Sequence, residues 1–456
     1  MQHKAMQDEL VMKTRNSQQG IALLVMLFVL VLAATGYVIK SLDSVTIKNE
    51  REKKTAQALS DAKTALVGYM LKRVDSLERP GDLPCPDKAT DGNYDGTQDA
   101  TCASTRVGKF PWKTDLDGFG NYRDGIALDL TDDTYERFWY AVSRNLVDPT
   151  NVQINSDLLV SAPYPWLSIY DSKGSLVSNR AIAVIVAPMS LLAGQNRSVP
   201  LPPAAQYLDN VTLGGVLYNN ATSAPAKFIN GTVYDPLNPS ALKVNDKVSY
   251  ITIDEVMPRI ELRVARELKQ CLDEYALASN GKYPWPEPTD GGAFDITSSQ
   301  RWFGRVSATP NIETGAGSDA QMQSAWTPSC TTLFTSAYWL EWRNLIFYQI
   351  ADNFIPSGSK SCILGSCISI SGTGNSSAGS GTYRAVVMVA GKTLPPQTRV
   401  ATISASNYLE DDALSGINNN HQAVFSKSFV TYKPFSAAYN TVNDLIICLD
   451  GKNACK

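Results

Sequence analysis

From Ile21 to Ile39 the chain carries no charged residue, and Lys40 closes the run. At about 1.5 Å per helical residue, such a stretch rises roughly 28 Å, close to the hydrocarbon thickness of a bilayer. The apolar region of a secretory signal is shorter and ends at a small-residue cleavage site, which "ATGYVIK" imitates poorly. Past Lys40, "NEREKKTAQ" forms a charged, helix-favouring bridge, and Leu59, Ala62, Leu66, Tyr69, Arg73 and Leu77 mark a three-and-four stripe. Pro80-Gly81 ends it. The pattern predicts one helix over 21–78, with 21–39 spanning a membrane and the remainder amphipathic.

The remaining length of this 456-residue chain has room for two or three domains. A net charge of −3 offers no basic face, so nucleic acid is not expected as a partner. Six of the eight cysteines sit close in sequence: Cys85 with Cys102, Cys362 with Cys367, and Cys448 with Cys455. With only two histidines, His3 and His421, and no CxxC, short disulfide loops in an oxidising compartment fit better than zinc. Spacing alone leaves the connectivity open; Cys271 with Cys330 follows only by elimination.

Beyond the helix the same layout runs twice. "RPGDLPCPD" from Arg79 parallels "KYPWPEP" from Lys282, which puts Leu83-Pro84-Cys85-Pro86 opposite Tyr283-Pro284-Trp285-Pro286. "RFWYAVSRNL" from Arg137 has an echo in "LEWRNLIFYQIADNF" from Leu340, and "RAIAVIVAPMSLLAGQNRSV" from Arg180 answers "RAVVMVAGKTLPPQTRV" from Arg384. "QYLDN" matches "NYLEDD", and "VSYITI" from Val248 is set against "SFVTYK" from Ser428. "AIAVIVA" and "AVVMVA" are short, β-branched and bounded by turn signals, as buried strands are. The second copy's helix is expected to begin near Asp254 as N-cap, with Pro258 in its first turn. Its stripe is Ile260, Val264, Leu268, Leu272 and Tyr275, and Asn280-Gly281 supplies the C-cap.

A polar leader ending in Gly20, an apolar run from Ile21 and an amphipathic continuation together resemble a prepilin of the type IV pilus and type II secretion families. The resemblance implies cleavage between Gly20 and Ile21 by a prepilin peptidase, N-methylation of Ile21, and packing of the helix among those of other pilins or pseudopilins. The fifth mature residue would be Val25, where most pilins carry glutamate. That glutamate is thought to neutralise the neighbouring subunit's amine, since a charge in an apolar core is costly unless paired. A subunit without it resembles the minor pilins and the large pseudopilin found at a filament tip. "DDTYERFWYAVS" from Asp132 also resembles a segment of the major pseudopilin, with Tyr135 and Glu136 in place of its Trp and Gly. A strand entry with buried aromatics accounts for it equally well.

Asp91, Asn93, Asp95 and Gly96 follow the D-x-N-x-D-G order of a calcium loop, with Asp99 at the ninth position and Cys102 where the bidentate glutamate belongs. Asp115 and Asp117, with Asn121, form a second, shorter cluster. Calcium in such loops is what the pseudopilin resemblance implies; a solvated turn has the same composition. No Ser/His/Asp or Cys/His arrangement is formed, and "SGTGNSSAGSGTY" lacks the lysine of a phosphate loop, so no enzyme is expected.

The expected chain is α+β, with a leader over 1–20, a long pilin helix over 21–78 and two tandem helix-on-antiparallel-sheet lobes over 79–254 and 255–456. By resemblance it would sit in the bacterial inner membrane by a single span, with its lobes in the periplasm or on a surface filament. It would serve as a minor, tip or initiating subunit; the alternative is a pilus-associated adhesin or ligand-binding protein using the same export route.

Overall fold

The first helix, α1, runs Gln2–Leu71, about 105 Å of axis. This computed structural model describes residues 2–71, 79–289, 302–312, 325–361, 367–370, 381–412, 417–418, 428–429 and 443–449, except 90–91, 100, 103, 114, 117–121, 124–125, 127–128, 225, 396 and 400–403. Helix α1 begins well before Ile21, so the expected joint between a leader and a helix at Gly20 is not a structural boundary. Just over half of the leader is Gln, Lys, Met, Glu or Leu, which are good helix formers, it holds no proline, and the single Gly20 costs only about 1 kcal/mol. Positions 72–78 lie outside the described residues, Arg73 and Leu77 among them.

The expected membrane span is corrected. Among the described residues no helix is long and apolar enough to cross a membrane. The transmembrane part of the fold class and the single-pass inner-membrane placement fall with it.

Six strands form the first sheet: β1 (Val107–Lys109), β2 (Trp139–Val142), β3 (Leu167–Tyr170), β4 (Leu176–Ala187), β5 (Lys227–Ile229) and β6 (Lys247–Thr252). The buried half of β4 pairs antiparallel with β2 on one side and β6 on the other, and β1 closes the edge beyond β2. The exposed half of β4 pairs with β3, which pairs parallel with β5. Two hairpins, Asn210–Leu213 with Val216–Asn219 and Val233–Asp235 with Asn238–Val244, fill the excursion between β4 and β6. Leu59, Ala62, Leu66, Val67 and Met70 of α1 are buried against β4 and β6.

Helix α2 (Ile253–Ala278) leaves β6 with no connecting loop. Thr252, not Asp254, is its N-cap, its hydroxyl accepting from Glu255 N at 3.2 Å. Asp254 pairs instead with Arg180. Pro258 therefore falls in the second turn, where it removes the amide that would bond the Asp254 carbonyl. At the other end Asn280 and Gly281 take left-handed φ values of 55° and 83°, and Gly281 N donates to Ala276 O at 2.6 Å, a Schellman closure.

The second sheet runs β7 (Phe303–Gly304), β8 (Ile346–Ile350), β9 (Ala385–Val389) and β10 (Leu445–Leu449), antiparallel throughout. Its order repeats that of β1, β2, β4 and β6, and α2 lies on β9 and β10 as α1 lies on β4 and β6. The duplication extends to single bonds. Leu83 N donates to Leu146 O and Tyr283 N to Phe354 O; Asp87 exchanges amide bonds with Lys109 as Glu287 does with Arg305. One expected match is corrected: "SFVTYK" is not the counterpart of "VSYITI". Ser428–Phe429 pairs with Ile368–Ile370 in a separate small sheet, and Leu445–Leu449 takes the place equivalent to β6. That position flanks a fully buried strand and selects the apolar run "LIICL".

The two lobes share one core. Helix α2 also touches β4 and β6, and its buried residues, from Ile253 and Val256 through Glu261, Ala265 and Ala276, sweep more than half its circumference at 100° per residue. Polar bonds cross the same seam: Arg79 donates to Glu341 Oε1 at 2.9 Å, Ile154 N to Glu341 Oε2 at 2.9 Å, and Arg399 bonds Asp157. Glu261, buried in α2 and bonded by Ser156 Oγ at 2.8 Å, has its carboxyl pushed up to about 8 by desolvation.

Two outcomes follow. A Cβ at Gly304 would stand 2.0 Å from the Glu287 carbonyl oxygen, as one at Gly108 would stand 2.2 Å from that of Asp87. Gly304→Ala should lower unfolding stability by about 2 kcal/mol in a denaturant titration, a backbone clash being no easier to relieve than an overpacked core. Glu261 binds its proton more tightly folded than unfolded. The stability it contributes is complete below its ordinary value of 4.5 and is lost as pH rises to about 8. Glu261→Gln should flatten the decline in melting temperature across that window, while wild type declines.

Candidate functional site

The repeated bonds converge on one polar rim in each lobe, where the turn after β4 or β9 meets the start of β6 or β10. In the first lobe Asp209 N donates to Asp246 Oδ2 at 2.8 Å, and the amides of Asn245 and Asp246 return bonds to Asp209 Oδ2 at 2.8 and 3.2 Å. In the second, Glu410 N donates to Asp444 Oδ2 at 2.9 Å, and the amides of Asn443 and Asp444 return bonds to Glu410 Oε2 at 3.0 and 3.1 Å. All four acids are buried. Desolvation and then the partner carboxyl hold Asp246 well above the carboxylate range and push Glu410 to about 10; desolvation raises Asp209 as well. A glutamine braces each pair, Gln195 on Asp209 Oδ1 at 2.8 Å and Gln397 on Glu410 Oε1 at 3.4 Å. The guanidiniums of Arg197 and Arg399 lie 4.8 and 5.3 Å from the rings of Tyr207 and Tyr408.

Next to this rim the lobes diverge. Lys109 ends β1 and Arg305 follows β7. Arg305 is fixed by Asn344, its Nη1 donating to Oδ1 at 2.8 Å and its Nη2 to the carbonyl at 3.2 Å. Lys109, only 8% exposed, makes one long hydrogen bond from Nζ among the described residues, 3.5 Å to Arg137 O, and stands 3.9 Å from the Tyr207 ring and 4.6 Å from that of Trp139. Burial lowers its ammonium to about 8. It lines a cavity of about 430 Å³ with Asp87, Tyr94, Trp112, Tyr135 and Glu136 among the walls.

Two local structures build those walls. The loop closed by the Cys85–Cys102 disulfide folds inward because Asp87 Oδ2 accepts from Gly96 N at 2.8 Å. Gly96, at φ 91°, sits so close to the Trp112 indole that no side chain fits there. Opposite, the Asp132 carboxylate accepts from Thr134 N and Glu136 N at 2.8 and 3.0 Å, and from Met189 N at 2.8 Å. This tight turn carries Tyr135 at φ 66°, a residue 88% exposed. Asp133 N bonds Thr55 Oγ1 of α1 at 3.1 Å. The "DDTYER" segment is thus a carboxylate-capped turn that ends in β2.

The calcium positions fall only partly within the described residues. Asp91 and Asp117 lie outside the described residues, and Asn93 is exposed. Asp95 accepts from Thr97 N at 2.8 Å and Thr97 Oγ1 at 2.6 Å, while Asp99 accepts from Lys88 N at 2.9 Å. Asp115 lies in a two-residue strand paired with Tyr122–Arg123. Among the described residues no three His, Cys, Asp or Glu side chains are grouped as a metal site would need. Cys271 and Cys330 are bonded, tying α2 to helix α3 (Pro328–Thr335). Cys367 and Cys448 are also disulfide-bonded; Cys362 and Cys455 lie outside the described residues. Gly20, Ile21 and Val25 fall within α1, where Val25 is exposed.

Sequence reasoning missed Lys109 and the acid pairs. The signal lay in the repeat: "VGKF" from Val107 against "FGRV" from Phe303, and the Gln and Arg shared by "AGQNRSV" and "PPQTRV". No protein family, curated protein or solved structure matches the chain.

Proposed function

We propose that the protein is a structural subunit of a filament of the type IV pilus or type II secretion pseudopilus class, acting at the tip or in initiating assembly. Helix α1 carries this reading. Its far end, from Leu59 to Met70, is buried on the first sheet, while Leu24 to Leu32 are each more than half exposed. An unbroken apolar stretch of that kind needs a cover, and apolar helices of neighbouring subunits, stacked along a filament axis, would supply one. The leader ending in Gly20 and the helix laid on an antiparallel sheet support the same class.

Val25 supports a place at the end of such a filament. In a stack, each new N-terminal amine needs a carboxylate from the subunit beside it, because an unpaired buried charge is strongly destabilising. Val25 offers none, so this chain cannot neutralise the amine of a neighbour that relies on it. The disulfides fit folding in an oxidising, exported environment.

The test is N-terminal sequencing and mass analysis of the protein from cells that express prepilin peptidase. A chain beginning at N-methylated Ile21 is the expected result. An intact Met1, or a start beyond Gly36, overturns the reading.

A further inference from the structure

We propose that the Lys109 cavity of the first lobe is a binding site for a neutral pyranose sugar. Its walls offer what a sugar ring presents in return. Among the described residues Lys109 Nζ makes a single hydrogen bond, of 3.5 Å, which leaves donors to spare in a residue that lines the cavity. The carboxylates of Asp87 and Glu136 supply acceptors, and aromatic rings from Tyr94, Trp112 and Tyr135 supply faces for C–H contacts. A sugar hydroxyl both donates and accepts, so it satisfies ammonium and carboxylate together.

Charge selects against the alternatives. Lys109 and Arg137 are set against Asp87, Asp129 and Glu136, so an anionic ligand would meet more carboxylates than cations. Asp129 is engaged with Arg137 at 2.9 Å and Glu136 with Arg197 at 3.4 Å. A cationic ligand would face Lys109 at the cavity floor. A volume of about 430 Å³ suits one ring with bridging waters.

Tyr135 is the second observation. A left-handed φ is disfavoured for any residue with a Cβ, yet the turn holds a largely exposed tyrosine there, among the residues that line the cavity. The ring has no packing role to explain it. The second lobe serves as an internal control, because Arg305, at the position of Lys109, is held by Asn344 through both terminal guanidinium nitrogens.

Saturation-transfer difference NMR on the full chain tests this, with glucose, galactose, mannose and N-acetylglucosamine at millimolar concentration and N-acetylneuraminate as the acidic control. At least one neutral sugar should show transfer, and Lys109→Met and Tyr135→Gly should each weaken its binding at least tenfold. Arg305→Met should leave it unchanged. Tyr135→Gly relieves the left-handed backbone and so retains the fold, which separates lost binding from lost structure should Lys109→Met unfold. Transfer to no neutral sugar, transfer to N-acetylneuraminate alone, or binding that survives Tyr135→Gly overturns the proposal. None of these results bears on cleavage at Gly20, so the filament reading stands or falls separately.

Discussion

Everything else in the body of this protein depends on α2 being buried on two sides. An ordinary surface helix hides a stripe of roughly 100°; α2 hides more than half its circumference, between the sheet it follows and the sheet it precedes. Because Thr252 caps it directly at the end of β6, its direction is fixed by the first sheet. The second sheet must then assemble on whatever face remains. The Cys271–Cys330 bond and the Arg79–Glu341 and Arg399–Asp157 pairs sit around this contact and limit sliding of one lobe on the other.

The repeat shows which constraints a lobe of this kind cannot relax. Both copies keep a glycine where the Pro-rich crossing lies on the edge strand, since a Cβ would enter the carbonyl of Asp87 or Glu287. Both keep a reciprocal acid pair at the entry to the last strand. Two carboxyls facing each other in a buried site cannot both ionise, and holding a proton between them is less costly than leaving three rim amides without acceptors. The copies differ where nothing in the framework compels likeness. Arg305 is held by Asn344, whereas Lys109 opens onto a cavity.

Helix α1 belongs to two worlds. Its last turns are part of the first lobe's core, and Thr55 even braces the turn that presents Tyr135. Toward the other end, Leu24 to Leu32 have no cover among the described residues. A filament would connect the two properties: the helix gives the axis, and the lobes with their cavity face outward from it.

The sequence alone determined the pieces governed by short-range periodicity. The stripe from Leu59 to Leu66, the buried strands "AIAVIVA" and "AVVMVA", the α2 stripe and the Asn280-Gly281 cap were all legible, because each is set by residues a few positions apart. The tertiary structure decided what depends on partners distant in the chain. It placed "LIICL", not "SFVTYK", beside the second buried strand, moved the α2 cap to Thr252, and set Asp95 and Asp99 to accept from donors of their own loop. It also removed the membrane span inferred from composition between Ile21 and Ile39. Lys109 became a site residue for the same reason: its burial, its rings and its unfilled donors come from β1, β2 and the turn before Tyr207, and no window of sequence contains all three.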